Sequence, residues 1–226
     1  MTKIAVLSGI GDEAPWVPQF VPDCTVVTFR FTDLNFPPRV NAMTPRLQAR
    51  IPKALGWMIV PGYDIYVWID ASFALEREDA VAWLVAPLSY NDWVCFPHPA
   101  RASARAEAQF LRQRASDRYI RQRYTGERLE EQMHWLEEEG FGEEYADDRL
   151  FAAGVFAYVP SAQMKEMLKE WWFYESVFHL DDQLTLPFLL WKHELRVYPL
   201  ASSIFANSYF VHTQNRKWKA EHAHTA

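Results

Sequence analysis

Tyr63-Asp64-Ile65-Tyr66-Val67-Trp68-Ile69-Asp70-Ala71-Ser72 reads as a buried β-strand that ends abruptly on a carboxylate. Ile65, Val67 and Ile69 alternate with Tyr66 and Trp68, and all five are strand formers. Asp70 then falls where the strand leaves its sheet, followed by two small residues. In open α/β sheets, ligands bind outside the carboxyl ends of the strands. A carboxylate there is suited to a divalent cation, and the cation to a diphosphate. A plain strand followed by an aspartate turn has the same pattern, so the rest of the chain has to separate the two.

Upstream, Ile4-Ala5-Val6-Leu7 is a short apolar strand followed by Ser8-Gly9-Ile10-Gly11-Asp12. Its two glycines allow backbone to approach a ligand closely. Residues 24–31 form a second strand, and 35–44 a proline-bearing loop. Residues 45–58 read as a helix with Pro45 near its start, which Pro52 is expected to disturb. Downstream, 76–88 has the pattern of an amphipathic helix. Trp93-Val94-Cys95-Phe96 is a short strand ending in Pro97-His98-Pro99.

Arg101, Arg105, Arg112, Arg114, Arg118, Arg121, Arg123 and Arg128 crowd one stretch, and an acidic helix over 127–139 follows. These are read as solvated helix faces with mutual ion pairs, only Arg101 reaching the ligand edge; an anion-facing surface is the alternative. Phe151 to Val159 is another apolar strand, where Gly154 permits close backbone approach. Ser161 caps a helix to about residue 178, and Asp181 or Asp182 caps a further helix to about 193, which Pro187 kinks or delays. A late strand over 195–200 precedes a polar tail. Strands alternating with helices indicate an α/β fold with a mixed, mostly parallel sheet flanked by helices.

The composition narrows the class. Half of the 226 residues are hydrophobic and 15% aromatic, enough for a substantial core. Fourteen prolines against eight glycines favour ordered, irregular connections over flexible linkers. A net charge of -6 argues against a dedicated nucleic-acid binder. Cys24 and Cys95 are too few for a disulfide framework. Met1-Thr2-Lys3 runs straight into a strand pattern, and no apolar run approaches the ~20 residues of a membrane helix. The expectation is a soluble, cytoplasmic protein.

Several polar residues fall where chemistry would need them. Arg50 and Lys53 lie about one helical turn apart, so both face one ligand or both are surface charges. His98 and Arg101 follow a strand end and belong at the same sheet edge as Asp70; Arg101 suits a phosphate and His98 a sugar hydroxyl. Glu107 either pairs with Arg101 or Arg105 or binds sugar. Asp181-Asp182-Gln183 precedes an apolar helix, where acids complement the helix dipole. No H-E-x-x-H, Walker A, G-x-S-x-G or CxxC arrangement is present.

Ile51-Pro52-Lys53, Trp68-Ile69-Asp70, His98-Pro99-x-Arg101 followed by Ala106-Glu107-Ala108, and Asp182-Gln183 ahead of an apolar helix occur in this order over roughly residues 50–192. The set resembles a glycosyltransferase-like domain family of plant and bacterial proteins, catalogued as a domain of unknown function. More broadly it is similar to the GT-A fold of nucleotide-sugar glycosyltransferases. His212-Thr213-Gln214-Asn215-Arg216-Lys217-Trp218 resembles the closing H-x-x-G-x-x-K-P-W segment of family 8 glycosyltransferases, one residue short in spacing and without its Gly and Pro.

The resemblance implies one GT-A-like domain over residues 1–218 with a tail over 219–226. It implies a nucleotide-sugar donor, expected to be UDP-linked, and Mn²⁺ or Mg²⁺ held by Asp70 and His212. Arg50, Lys53, Ser72, His98, Arg101 and Lys217 would join Asp70 in binding the donor. Asp182 would act at the reacting sugar with Gln183 orienting it. Where a D-x-D motif has its second acid, this chain has Ser72, a weak ligand or a ribose partner. Retention is the expected outcome, because no second carboxylate stands out as a general base. The acceptor is a glycan, a protein or a nucleic acid. Two other readings stay open: a non-catalytic nucleotide-sugar or glycan-binding module, and a glycosyltransferase acting on modified bases through the arginine-rich stretch.

Overall fold

The computed structural model describes residues 1–9, 14–37, 39 and 41–213. Strands β1 (Thr2–Ser8), β2 (Cys24–Arg30), β3 (Ile65–Ile69), β5 (Trp93–Pro97), β6 (Phe151–Tyr158) and β7 (Val197–Pro199) form one sheet in the order β2-β1-β3-β6-β5-β7. β1 pairs parallel with β2 and β3, and β5 pairs parallel with β7. β6 runs antiparallel to both β3 and β5. Five strands therefore share one direction, and their carboxyl ends meet the start of β6 along a single edge. This is the mixed, mostly parallel sheet expected, and helices flank it.

Side-chain alternation along β3 builds a core on each face. Tyr66 and Trp68 join Leu7, Trp93, Cys95, Phe156, Tyr158 and Trp171 on one side. Val67 and Ile69 join Ile4, Val6, Val94, Phe96, Val155 and Leu84 on the other. Helices α1 (Pro45–Ile59) and α6 (Ala162–Val177) pack against each other over the first face. α2 (Ala80–Val85) covers the second. α3 (Ala104–Gln113), α4 (Arg118–Tyr124), α5 (Leu129–Glu138) and α7 (Leu186–Lys192) complete the helices.

Thr44 caps α1 by accepting from the Leu47 N–H at 3.2 Å. Pro52 does disturb this helix: Leu55 leaves helical geometry at φ -112, ψ 17. Arg50 and Lys53 both precede that kink. Gly9 serves packing, because an added Cβ would lie 2.7 Å from the Trp68 ring; Gly11 lies outside the described residues.

Three expectations change. The helix read over 76–88 shrinks to α2 and a 3-10 turn at Ala86–Ser89, with Pro87 at the junction. The helix after Asp181 starts only at Leu186, with Pro187 in its first turn, so Asp181, Asp182 and Gln183 occupy a turn ahead of it. The polar tail contains a strand: β8 (Phe210–His212) pairs antiparallel with β4 (Phe73–Leu75), and Phe210 is a core residue. Three-residue strands are too short for alternation to reveal them. Among the described residues no helix is long and apolar enough to cross a membrane.

Candidate active site at the carboxyl edge of the sheet

Asp70 follows β3 directly. Its N–H donates to the Gly154 carbonyl on β6 at 2.8 Å, and its carbonyl accepts from the Phe73 N–H at 2.9 Å. The chain turns sharply there and leaves the carboxylate at the edge with its side chain 38% exposed. The Trp68 indole N–H donates to Asp70 Oδ1 at 2.7 Å, fixing the side chain from the strand beneath. Oδ2 lies beside Gly154, where an added Cβ would stand 3.4 Å from it.

Lys53 is not a surface charge. Its side chain is 1% exposed and its ammonium lies 3.5 Å from Asp70 Oδ1. The same ammonium, together with the Arg50 guanidinium, donates to Oδ2 of Asp182. Arg50 also donates to the Leu180 carbonyl at 3.0 Å, and the Trp171 indole holds the Asp182 carbonyl at 3.0 Å. The turn before α7 is thus clamped by α1 and α6. Burial raises the pKa of Asp182, but Arg50 and Lys53 outweigh it and hold the carboxyl below its usual range.

Asp181 caps the turn. Its Oδ1 accepts from the Gln183 N–H at 3.2 Å, and Tyr124 Oη lies 3.4 Å from its Oδ2. Burial, then Glu107 and Asp182, pushes its carboxyl up to about 7. Gln183 Oε1 is buried without a hydrogen-bond partner. His212 reaches the site through β8. It stands opposite Phe73, and the Thr213 N–H donates to the Ser72 carbonyl at 2.8 Å. Burial lowers the His212 pKa and Asp70 opposes that shift, which places the two side chains in electrostatic reach. Lys217 lies outside the described residues.

His98 and Arg101 form a second group, two strands further along the edge from Asp70. His98 Nδ1 accepts from the Arg101 N–H at 2.9 Å, and the Arg101 guanidinium pairs with buried Glu107. Burial, helped by Arg101, pushes His98 down to about 4, so the imidazole is neutral at pH 7. The other arginines are mostly paired on the surface: Arg105 with Glu137, Arg112 with Glu130, Arg114 with Asp117, Arg128 with Glu131. Arg123 is an exception, since its charge helps to lower the Asp182 pKa.

One buried acid escapes a reading of the sequence. Glu175, on α6, is 3% exposed, and neither carboxyl oxygen has a hydrogen-bond partner. Burial, offset in part by Arg50, pushes it up to about 8. The signal is present all the same: Leu168, Trp171 and Glu175 are three and four residues apart on the buried stripe of α6.

For a cation the donor set is small. Asp70 offers an oxygen and His212 a ring nitrogen, and among the described residues no three His, Cys, Asp or Glu side chains gather to hold a metal. A cation there would take most of its ligands from outside the protein.

No protein-family model and no curated protein matches the chain. Solved structures do. One is a glycosyltransferase involved in the glycosylation of the major capsid of PBCV-1, 10% identical over 99% of each chain with a TM-score of 0.47. Another is mouse xyloside xylosyltransferase 1, 10% identical over 88% of this chain and 85% of that one, with a TM-score of 0.42. A third is glucosyl-3-phosphoglycerate synthase from Mycobacterium tuberculosis, solved with Mn²⁺, UDP and phosphoglyceric acid, 15% identical over 80% of this chain and 66% of that one, with a TM-score of 0.34. The fold class itself stands on the strand order and directions.

Proposed function

We propose that this chain is a GT-A-type glycosyltransferase that moves a sugar from a UDP-linked donor to an acceptor hydroxyl, assisted by Mn²⁺ or Mg²⁺. The observation that carries the reading is the convergence of Arg50, Lys53, Asp70 and Asp182 from three distant segments at one sheet edge. Two carboxylates bridged by one buried ammonium form a rigid, preorganised pole.

Asp70 and His212 would hold the cation together with the donor diphosphate. Bound there, the cation neutralises charge on the departing diphosphate. Arg101 and His98 extend the donor cradle along the edge, and Ser72 faces the ribose. Lys53 acts from behind, fixing Asp70 and Asp182 relative to each other. Asp182, kept ionised by Arg50 and Lys53, stabilises positive charge developing at the anomeric carbon, with Gln183 orienting the sugar. A fixed carboxylate needs no reorganisation as that charge appears.

Incubation with a panel of UDP-sugars and Mn²⁺, with and without candidate acceptors, tests the reading. Release of UDP is the expected outcome. A non-catalytic nucleotide-sugar-binding module is the second reading, favoured by Ser72 in place of a second acid; tight donor binding with no UDP release would select it. The pairing of the surface arginines with acids argues against a nucleic-acid substrate.

A further inference from the structure

Glu175 is a buried carboxyl that the proposed reaction leaves unused. An unpartnered polar group in a protein interior is costly and calls for a reason. Its surroundings supply one. Glu175 stands one turn along α6 from Trp171, whose indole holds the Asp182 backbone. α6 packs on α1, which carries Arg50 and Lys53. The charged groups acting on Glu175 are Arg50 and Lys53 from α1 and Asp181 and Asp182 from the turn before α7.

Arg50 and Lys53 spend their charge on one oxygen of Asp182 and, for Lys53, on Asp70. With Glu175 protonated, Arg50 and Lys53 face the carboxylates of Asp70 and Asp182, and Arg123 adds its charge at Asp182. If Asp182, still held by both cations, also accepts a hydrogen bond from a donor sugar, both cations lose part of their counter-charge. Glu175 is the acid within their field that has no partner of its own.

We propose that Glu175 is a positioning residue that gives up its proton when a nucleotide sugar binds, and then takes over the Arg50 and Lys53 charges released by Asp182. This inference rests on the glycosyltransferase reading. The balance is simple: one Glu175 O–H bond breaks, the proton goes to buffer, and the electron pair stays on the carboxylate facing Arg50 and Lys53. No bond in the donor changes at this step.

Calorimetric titration of UDP-glucose with MgCl₂ into the full chain at pH 7, in buffers of different ionisation enthalpy, counts the protons released. The diphosphate of UDP-glucose is fully ionised at that pH, so the ligand contributes none. The wild-type protein is expected to release about one proton per donor bound. Glu175→Gln is expected to bind within about tenfold of wild type and to release none. Asp181→Asn, the control for the other raised carboxyl, keeps the release. If Glu175→Gln does not fold, the wild type still decides, because release must vanish at pH 9, where Glu175 is already ionised. Donor binding with an unchanged proton count in Glu175→Gln, or release persisting at pH 9, overturns the proposal. No binding of any UDP-sugar by the wild type overturns the glycosyltransferase reading itself and this inference with it.

Discussion

The ammonium of Lys53 lies 3.5 Å from Asp70 and also holds Asp182, joining carboxylates 112 residues apart in the chain through a side chain that is 1% exposed. A lysine so placed is structural and electrostatic at once. It ties α1 to the end of β3 and to the turn before α7. It also sets the spacing between the two acids that the proposed chemistry uses.

Lys53→Met removes one partner of this buried network. Breaking such a pair costs about 3–5 kcal/mol, and the surviving Arg50–Asp182 contact puts the loss near the lower end. For a chain of this size that lowers the melting temperature by roughly 6–12 °C. Thermal unfolding at neutral pH checks it; an unchanged melting temperature would mean that the pair contributes nothing.

Asp182→Asn keeps size and removes charge. Turnover is expected to fall by roughly a hundredfold or more, the scale of one lost transition-state contact, with donor affinity little changed. Asp181→Asn is the comparison, because Asp181 caps Gln183. Equal losses in both variants with matching drops in melting temperature would reduce the Asp-Asp pair to a structural turn.

The folded protein holds protons that the unfolded chain has lost. Glu175 titrates at about 8 against an ordinary 4.5, and Asp181 at about 7 against 3.8, both chiefly because of burial. Between the ordinary and the raised values the folded state binds more protons, so stability falls as pH rises from about 4 to about 8. Asp182 works the other way: its lowered value contributes stability above the ordinary carboxylate range that is lost as pH falls through the lowered one. His98 and His179, both pushed down to about 4 by burial, add stability as pH rises through the ordinary histidine range near 6.5, so the comparison is made above it. Melting curves at pH 7 and 8.5 should show the lower melting temperature at pH 8.5, with a smaller difference in Glu175→Gln. A flat profile in the wild type would contradict the buried-acid assignment.

Arg114, just past the end of α3, and Arg118 and Arg121 on α4 are exposed. Reversing all three charges should leave donor hydrolysis unchanged. A collapse of hydrolysis in that variant, measured as UDP release, would place the arginine-rich surface in the donor site.

Much of this is legible in the sequence because it rests on local pattern. The β3 alternation, the Ser161 cap and the Pro52 disturbance follow from side-chain period and backbone chemistry, and they stand in the structure. Asp70 at a strand end is readable for the same reason. The pairing of β8 with β4 is not, since it joins two three-residue segments across most of the chain. Nor is the burial of Lys53: a helix pattern places it near Arg50 but gives no sign of the carboxylates it meets. The role of Asp182 as the anchor of two cations depends on where α1 lies, which only the tertiary fold sets. Truncation after Phe210 removes no mere tail; it deletes part of β8 together with His212.

In the proposed reaction Asp70 binds a nucleotide diphosphate through a divalent cation. Titrating UDP into the wild-type protein and into Asp70→Asn, each with and without MnCl₂, measures it directly. The expected result is binding by the wild type only when Mn²⁺ is present, and loss of that Mn²⁺ dependence together with most of the affinity in Asp70→Asn. Equal Mn²⁺-dependent affinity in the two proteins would contradict the metal-bridged donor site.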